Sequence, residues 1–317
     1  MKYSKIDKLY NHTIKFCLKS GLIKDLKNSL VKSEGERFDS IDIQKTGLSV
    51  LDAVHCLYDR KRTYLLLDEI KRCVKSNDTV LEAGLGTGIL SFYSSLLSKR
   101  VYAYEINHDI YDLYTNIKNY LLLHGYTFDN LISVRSNAKS FNQRKGADVI
   151  ISENIYTGMF FEKQIDIVKS LRGNLKKGGT IIPSGMKSYI ALCSIKTKNK
   201  KDKFLVLNEI NEKPLIFTDR GAYDLIDFLK IKRRAVSKKI NLPVLKDGVA
   251  DSVIISSDVL LHSGNIIGSL DTDFMNNDVI IKLGRKLILK AGEVVSIKVT
   301  YTYGSSPLRA KFVVKRI

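Results

Sequence analysis

Between residues 78 and 183, short apolar runs alternate with stretches whose apolar positions recur at helical spacing. "TVLEAG", "RVYAYEI", "LISVRS" and "ADVIISE" read as buried strands. "GILSFYSSLLSK", "HDIYDLYTNIKNYLLLHG" and "FEKQIDIVKSLRGNLKKGG" read as helices. The last of these closes on Lys176-Lys177 and Gly178-Gly179, cations and glycines that suit a helix C-terminus. The alternation predicts βαβ units around a parallel sheet. Residues 1–77 read as helical, with "LSVLDAVHCLYDRKRTYLLLDEIKRCV" (Leu48–Val74) broken by the polar stretch Asp59–Arg62. After Pro183, which ends the strand "GTIIP", short β-rich runs take over: "SYIALCSI", "SVIISSDVLL", "DVIIKL", "KLILKAGEVVSIKVTYTY" and "AKFVVKRI". "LKAGE" reads as a hairpin turn, "LDTDFMNND" as a loop, and Arg220–Lys238 as one helical insertion. The pattern thus divides the chain into a helical segment 1–77, an α/β domain 78–183, and a β-rich domain 184–317 of sandwich or barrel type, with a helix near 220–238.

The 317 residues are 44% hydrophobic, enough for a real core. No apolar run is long enough to span a bilayer, and "MKYSKIDKLYNHTIKFCLKSG" lacks the apolar centre and cleavage site of a signal peptide. Cys17, Cys56, Cys73 and Cys193 are scattered without a CxxC, so a reducing cytoplasm fits and a zinc site does not. The five histidines also lack ligand spacing, and no metal is expected. The chain carries 52 Lys+Arg against 33 Asp+Glu, a formal charge of +19. That excess suits an anionic partner or a compositional habit, and the residues leave both open. The densest basic runs are "KTKNKKDK" (Lys196–Lys203), read as a solvated loop tip, and "KIKRRAVSKK" (Lys230–Lys239), read as a helical binding face.

"TVLEAGLGTGILSF" sets a strand before Gly84, Gly86 and Gly88 and a helix after them. Such glycines allow a tight turn and close approach of a ligand to the backbone. The spacing is GxGxG, not the GxGxxG of dinucleotide sites, and Glu82 precedes it. An acid there suits a cationic ligand better than a pyrophosphate. S-adenosylmethionine carries an amino group and a sulfonium. Glu105 ends the second strand, 21 residues after Gly84, where a ribose hydroxyl finds its acceptor. Asn137 and Ala138 end the third, where an amide reads an adenine edge. "VLEAGLGTGILSF" followed by "VYAYEIN" resembles the first motifs of class I S-adenosylmethionine-dependent methyltransferases. That resemblance implies a Rossmann-like core of seven strands, with the N-terminal helices as a lid over the cofactor.

In "DVIISENIYTGMFFEKQ" (Asp148–Gln164) one acid, Glu153, closes the fourth strand and another, Glu162, follows nine residues later. Two carboxylates facing one pocket suit the planar fork of a guanidinium. The bland alternative is a solvent-facing strand end and a first-turn helix acid. The stretch resembles the double-glutamate loop of the protein arginine methyltransferases, with Glu153 and Glu162 on its two acidic positions. "LYDRKRTYLLLDEI" (Leu57–Ile70) is similar to that family's Asp-x-x-Arg-Thr segment, which implies that Arg62 meets the cofactor carboxylate. "LKKGGTIIPSG" is similar to its junction with the β domain, and "RFDS" (Arg37–Ser40) to its N-terminal segment. The family's Thr-His-Trp loop is absent, since the chain has no tryptophan. Ile41 stands where the family has a tyrosine, and Lys139 and Ser140 where it has an adenine-side acid.

The resemblance implies transfer of a methyl group to a guanidine, on a protein, a peptide or a small molecule. It also implies a homodimer, with Arg220–Lys238 in place of the dimerisation arm. Three other readings stay open: a methyltransferase acting on RNA, one acting on another amine or hydroxyl, and a non-catalytic cofactor-binding protein. The basic runs lack the interleaved aromatics that stack on bases, which counts against nucleic acid.

Overall fold

Ser49 and Asp52 cap each other's backbone amides and so start a helix, α2 (Val50–Tyr58); an earlier helix, α1 (Lys5–Lys19), precedes it. Asp59 then ends α2 and caps α3 (Arg60–Cys73), so the polar break in the sequence is a shared cap. These elements belong to a computed structural model that describes residues 5–22, 49–144, 146–196, 203–207, 212–269, 271–272 and 276–317. "RFDS", Ile41 and most of the basic run after Lys196 lie outside the described residues. In α1, Ile6, Leu9, Tyr10, Thr13 and Cys17 recur at helical spacing and are buried.

The parallel sheet has the order β3-β2-β1-β4-β5. Its strands are β1 (Thr79–Ala83), β2 (Arg100–Glu105), β3 (Leu131–Arg135), β4 (Ala147–Ile151) and β5 (Leu175–Ile182). Helices α4 (Ile89–Ser95), α5 (His108–Leu123) and α6 (Gln164–Leu171) make the crossovers from β1, β2 and β4. The strand order reverses between β1 and β4, the place where open α/β sheets bind ligands. This is the Rossmann-like core expected, though with five strands among the described residues rather than seven. After β5 the chain leaves for the β-rich half.

Two antiparallel sheets form that half. One orders β7 (Phe204–Val206), β13 (Val279–Leu289), β11 (Gly248–Leu260), β6 (Gly185–Ser194) and β8 (Leu215–Ile216), with β9 (Gly221–Asp227) on β6 and β12 (Ile266–Ile267) on β11. The other orders β10 (Ala235–Pro243), β14 (Val294–Thr302) and β15 (Lys311–Arg316). A single apolar cluster runs from α1 through the parallel sheet into both antiparallel sheets.

Three expectations need correction. The stretch 220–238 is not a helix but the strands β9 and β10 with a turn between. Tyr223 and Ile226 have helical spacing, yet β9 pairs with β6 and β10 pairs along its whole length with β14; tertiary pairing overrides a short local period. No helical arm stands there. The helix after β4 ends at Leu171, so Lys176-Lys177 do not cap it. They sit in an irregular stretch of β5, where Lys176 Nζ meets Asp148 Oδ2 at 2.7 Å. "LKAGE" is a tight turn but not a hairpin: it carries the chain from β13 in one sheet to β14 in the other.

Candidate active site

A cavity of about 540 Å³ opens at the carboxyl ends of β1, β2 and β4. Of the ten residues singled out from the sequence, Arg62, Glu82, Gly84, Gly86, Glu105, Asn137, Ala138, Glu153 and Glu162 line it. Gly88 lies just behind, as the first residue of the turn into α4.

The three glycines have left-handed backbones for three different reasons. A Cβ on Gly84 (φ +90°) would lie 2.9 Å from Asn154 Oδ1. One on Gly88 (φ +82°) would lie 2.5 Å from the Tyr114 ring and 2.8 Å from Phe92. Above Gly86 (φ +54°) there is nothing within 4 Å, so the backbone faces open cavity.

Glu82 is 1% exposed and accepts a hydrogen bond from the Ser91 hydroxyl of α4. Burial pushes its carboxyl up to about 8; nearby Glu105 adds to the rise and Ser91 opposes it. Glu105 accepts from the Asn107 amide at 2.8 Å and from the Gly86 amide at 3.4 Å. Its carboxyl also lies above the ordinary range through burial, with those amides holding it back. The Asn137 side chain accepts from the Lys139 amide at 3.0 Å and so caps the short turn Ala138–Ser140. Lys139 reaches the cavity beside them.

Arg62 and Glu153, assigned to different ligands from the sequence, are ion-paired with each other. Their side chains are 8% and 14% exposed. The Asp-x-x-Arg-Thr segment explains how Arg62 is aimed: Asp59 caps its amide at 3.2 Å, and Thr63 donates to the Cys56 carbonyl at 3.0 Å. Arg62 Nη1 donates to that same carbonyl at 3.3 Å.

The loop from Ser152 to Glu162 is held at both ends. Buried Gln164 donates to the Ser152 carbonyl at 2.5 Å and accepts from the Ser152 hydroxyl at 2.9 Å and the Asn154 amide at 3.2 Å. Asn154 in turn donates to the Ala83 carbonyl at 2.9 Å, tying the loop to the glycine turn. At the far end the β-rich half takes over. The Gly158 amide donates to Ser257 Oγ at 2.9 Å, Tyr301 donates to the Gly158 carbonyl at 2.7 Å, and the Gly304 amide donates to the Met159 carbonyl at 2.7 Å. Met159 (φ 58°) and Phe161 (φ 57°) adopt left-handed backbones, a local strain that such anchoring sustains. Glu162 is half-buried, and burial pushes its carboxyl up to about 7; Asp52 adds to this and Lys163 opposes it.

Asn154, Gln164 and Tyr301 were not found from the sequence. Their partners lie far along the chain or are backbone atoms, so no spacing reveals them. Gln164→Leu is expected to leave the Ser152 carbonyl and the Asn154 amide without their Gln164 partner, each worth about 1–3 kcal/mol, and the Ser152 hydroxyl with only the Asn154 side chain. Cofactor affinity measured by calorimetry should stay within a few fold, while methyl transfer should fall at least about tenfold; equal loss of both would mean that Gln164 serves the whole fold.

Residues 59–212 match the model of the ribosomal protein L11 methyltransferase (PrmA) family. An uncharacterized protein of Methanocaldococcus jannaschii is 27% identical over 256 residues, which covers 77% of this chain and 93% of that protein. The Trypanosoma brucei PRMT1 enzyme–prozyme heterotetrameric complex with AdoHcy superposes with a TM-score of 0.66 at 14% identity, over 83% of this chain and 96% of that one. Arabidopsis thaliana protein arginine methyltransferase 10 gives 0.64 at 14% identity, over 83% and 97%. The chain is a class I S-adenosylmethionine-dependent methyltransferase, and its fold resembles that of the protein arginine methyltransferases. Its cofactor is S-adenosylmethionine. The cavity fits that cofactor in chemistry: an open glycine backbone at Gly86, and buried carboxyls at Glu82 and Glu105 for a cationic, hydroxyl-rich ligand. Among the described residues, no helix is long and apolar enough to cross a membrane, and no group of three His, Cys, Asp or Glu could hold a metal.

Proposed function

We propose that this methyltransferase acts on a guanidine nitrogen, held between Glu153 and Glu162, on a protein, a peptide or a small molecule. The observation that carries the reading is the ion pair of Arg62 with Glu153: a guanidinium already sits on one of the two carboxylates lining the cavity. In this reading Gly84, Gly86 and Gly88 form the cofactor cradle, with Glu82 and Glu105 facing the ligand's amino and ribose groups. Asn137 and Ala138 frame the adenine, and Arg62 turns to the cofactor carboxylate. When bound, the cofactor supplies a methyl group made electrophilic by its sulfonium.

Everything else falls to the chain's own residues. Glu153 and Glu162 accept N–H bonds from the acceptor's fork, which fixes one terminal nitrogen in line for attack. They also draw the positive charge toward the other nitrogens and leave the attacking one richer in electrons. Arg62 occupies Glu153 until the cofactor carboxylate competes for it, so donor binding opens the acceptor's place.

Glu162 has to be ionised to hold a cation. Its carboxyl is raised to about 7, so it is largely protonated below that pH and charged above it. The rate at low acceptor concentration, kcat/KM, is therefore expected to rise with pH through about 7. A bound guanidinium favours the charged form, so the corresponding limb of kcat should lie at lower pH. Glu162→Gln should remove the limb along with most of the activity, and a limb unchanged in that variant would assign it elsewhere.

The acceptor itself is tested by incubating the protein with labelled S-adenosylmethionine and peptide pools or fractionated lysate, then mapping the labelled atom by mass spectrometry. Label on a guanidine nitrogen is expected. Label confined to a hydroxyl, another amine or a nucleobase would refute the reading.

A further inference from the structure

We propose that the outer face of the sheet β10-β14-β15 is a docking surface for the phosphodiester backbone of RNA. Along β14 the side chains of Val295, Ile297, Val299 and Tyr301 are buried, which turns Lys298 outward. The register sets Lys239 of β10 directly opposite Lys298, and Ser237, Thr300 and Lys311 in the adjacent row. Lys315 of β15 follows in the next row, with Asn241 of β10. All four lysines are exposed, and no ion pair among the described residues involves them. None of the three strands contains an aspartate or a glutamate.

Like charges directly opposite each other destabilise a sheet. Lysines on edge strands have a familiar purpose, since they discourage edge-to-edge pairing, and that purpose covers Lys239, Lys311 and Lys315. It does not cover Lys298, because β14 is the central strand. A cluster of exposed lysines that make no ion pair among the described residues is complementary to a polyanion. The face carries no protruding helix to enter a DNA major groove. It offers no stacking platform either, because Tyr301 and Phe312 pack on the inner side. What remains is a flat field of cations, hydroxyls and an amide around the exposed Val313, which stands opposite Lys298. That field matches the shallow side of an A-form RNA helix, which displays phosphates and 2′-hydroxyls.

The face also leads to the cavity. Arg234, next to the first residue of β10, pairs with Asp166 of the cavity wall at 3.4 Å. Lys239 is five residues further, about 17 Å along the strand. An RNA lying on the sheet would thus pass beside the cavity mouth. Binding on this face does not depend on which acceptor the cavity takes.

The test is fluorescence anisotropy over a range of salt concentrations with a labelled RNA duplex of roughly 20 base pairs, a DNA duplex of the same sequence, and polyglutamate as a competitor. RNA is expected to bind most tightly, with log K falling linearly in log salt. Lys239→Gln/Lys298→Gln should weaken RNA binding about tenfold or more and lower the salt slope by about 1–2, as for two lost phosphate contacts. Lys75→Gln/Lys99→Gln, at exposed lysines away from the face, should change neither. Since the first double variant removes a like-charge pair, it should melt at or above the wild-type temperature. Should it fail to fold, Lys311→Gln/Lys315→Gln gives the same readout. Unchanged binding in the face variants, equal loss in the control, DNA binding as tightly as RNA, or polyglutamate competing as well as RNA would each overturn the proposal.

Discussion

Glu153→Gln is expected to reduce methyl transfer by about 100- to 1,000-fold, the range for losing one preorganised electrostatic contact to a transition state. The amide keeps the shape of the carboxyl but gives up its charge and half of its acceptors. Cofactor affinity should move little, and in one direction. Arg62 loses the ion partner that competes with the cofactor carboxylate, so binding measured by calorimetry should match or exceed wild type. Weaker cofactor binding in step with lost activity would mean that Glu153 belongs to the donor site, and the division of roles would fall.

The second large effect separates the roles of Gly86 and Gly88. Gly86→Arg is expected to yield a folded protein that does not bind S-adenosylmethionine, because the new side chain has open cavity to enter. Gly88→Ala is expected to do the reverse of a clean binding defect. Its methyl group would overlap Tyr114 and Phe92, two rings stacked 5.2 Å apart, on a backbone that L-residues rarely adopt. The combined cost is roughly 3 kcal/mol, visible as a lower melting temperature with or without ligand. Thermal melts and calorimetry on both variants distinguish the cases. Normal cofactor binding by Gly86→Arg would contradict the placement of the cradle.

The parallel sheet was legible because β1 and β4 are buried almost throughout, and burial on both faces demands the mostly apolar runs seen in "TVLEA" and "ADVII". The strands β9 and β10 were not. In β9 Asp224 is buried and Leu225 exposed, the reverse of what their polarity suggests, so Tyr223 and Ile226 fit a helix as well as a strand, and only pairing with β6 and β14 decides. The same ambiguity hid the irregular start of β5, where Lys176 and Lys177 are exposed. In the site, the residues at strand tips were found because the topology sends ligands there. The Arg62–Glu153 pair was missed because its members lie 91 residues apart and each matched a motif of its own. Gln164 was missed for the opposite reason: its partners are mostly backbone atoms, which leave no trace in a sequence.

The loop between the glutamates is fastened at one end to Ala83, beside the glycine turn, and at the other to Ser257, Tyr301 and Gly304 of the β-rich half. Under the proposed reading, the loop that receives the acceptor therefore takes its shape from both halves of the chain. In that reading, substitutions at Ser257, Tyr301 or Gly304 would shift the loop and so retune the recipient, while the glycine turn and the methyl source stay as they are.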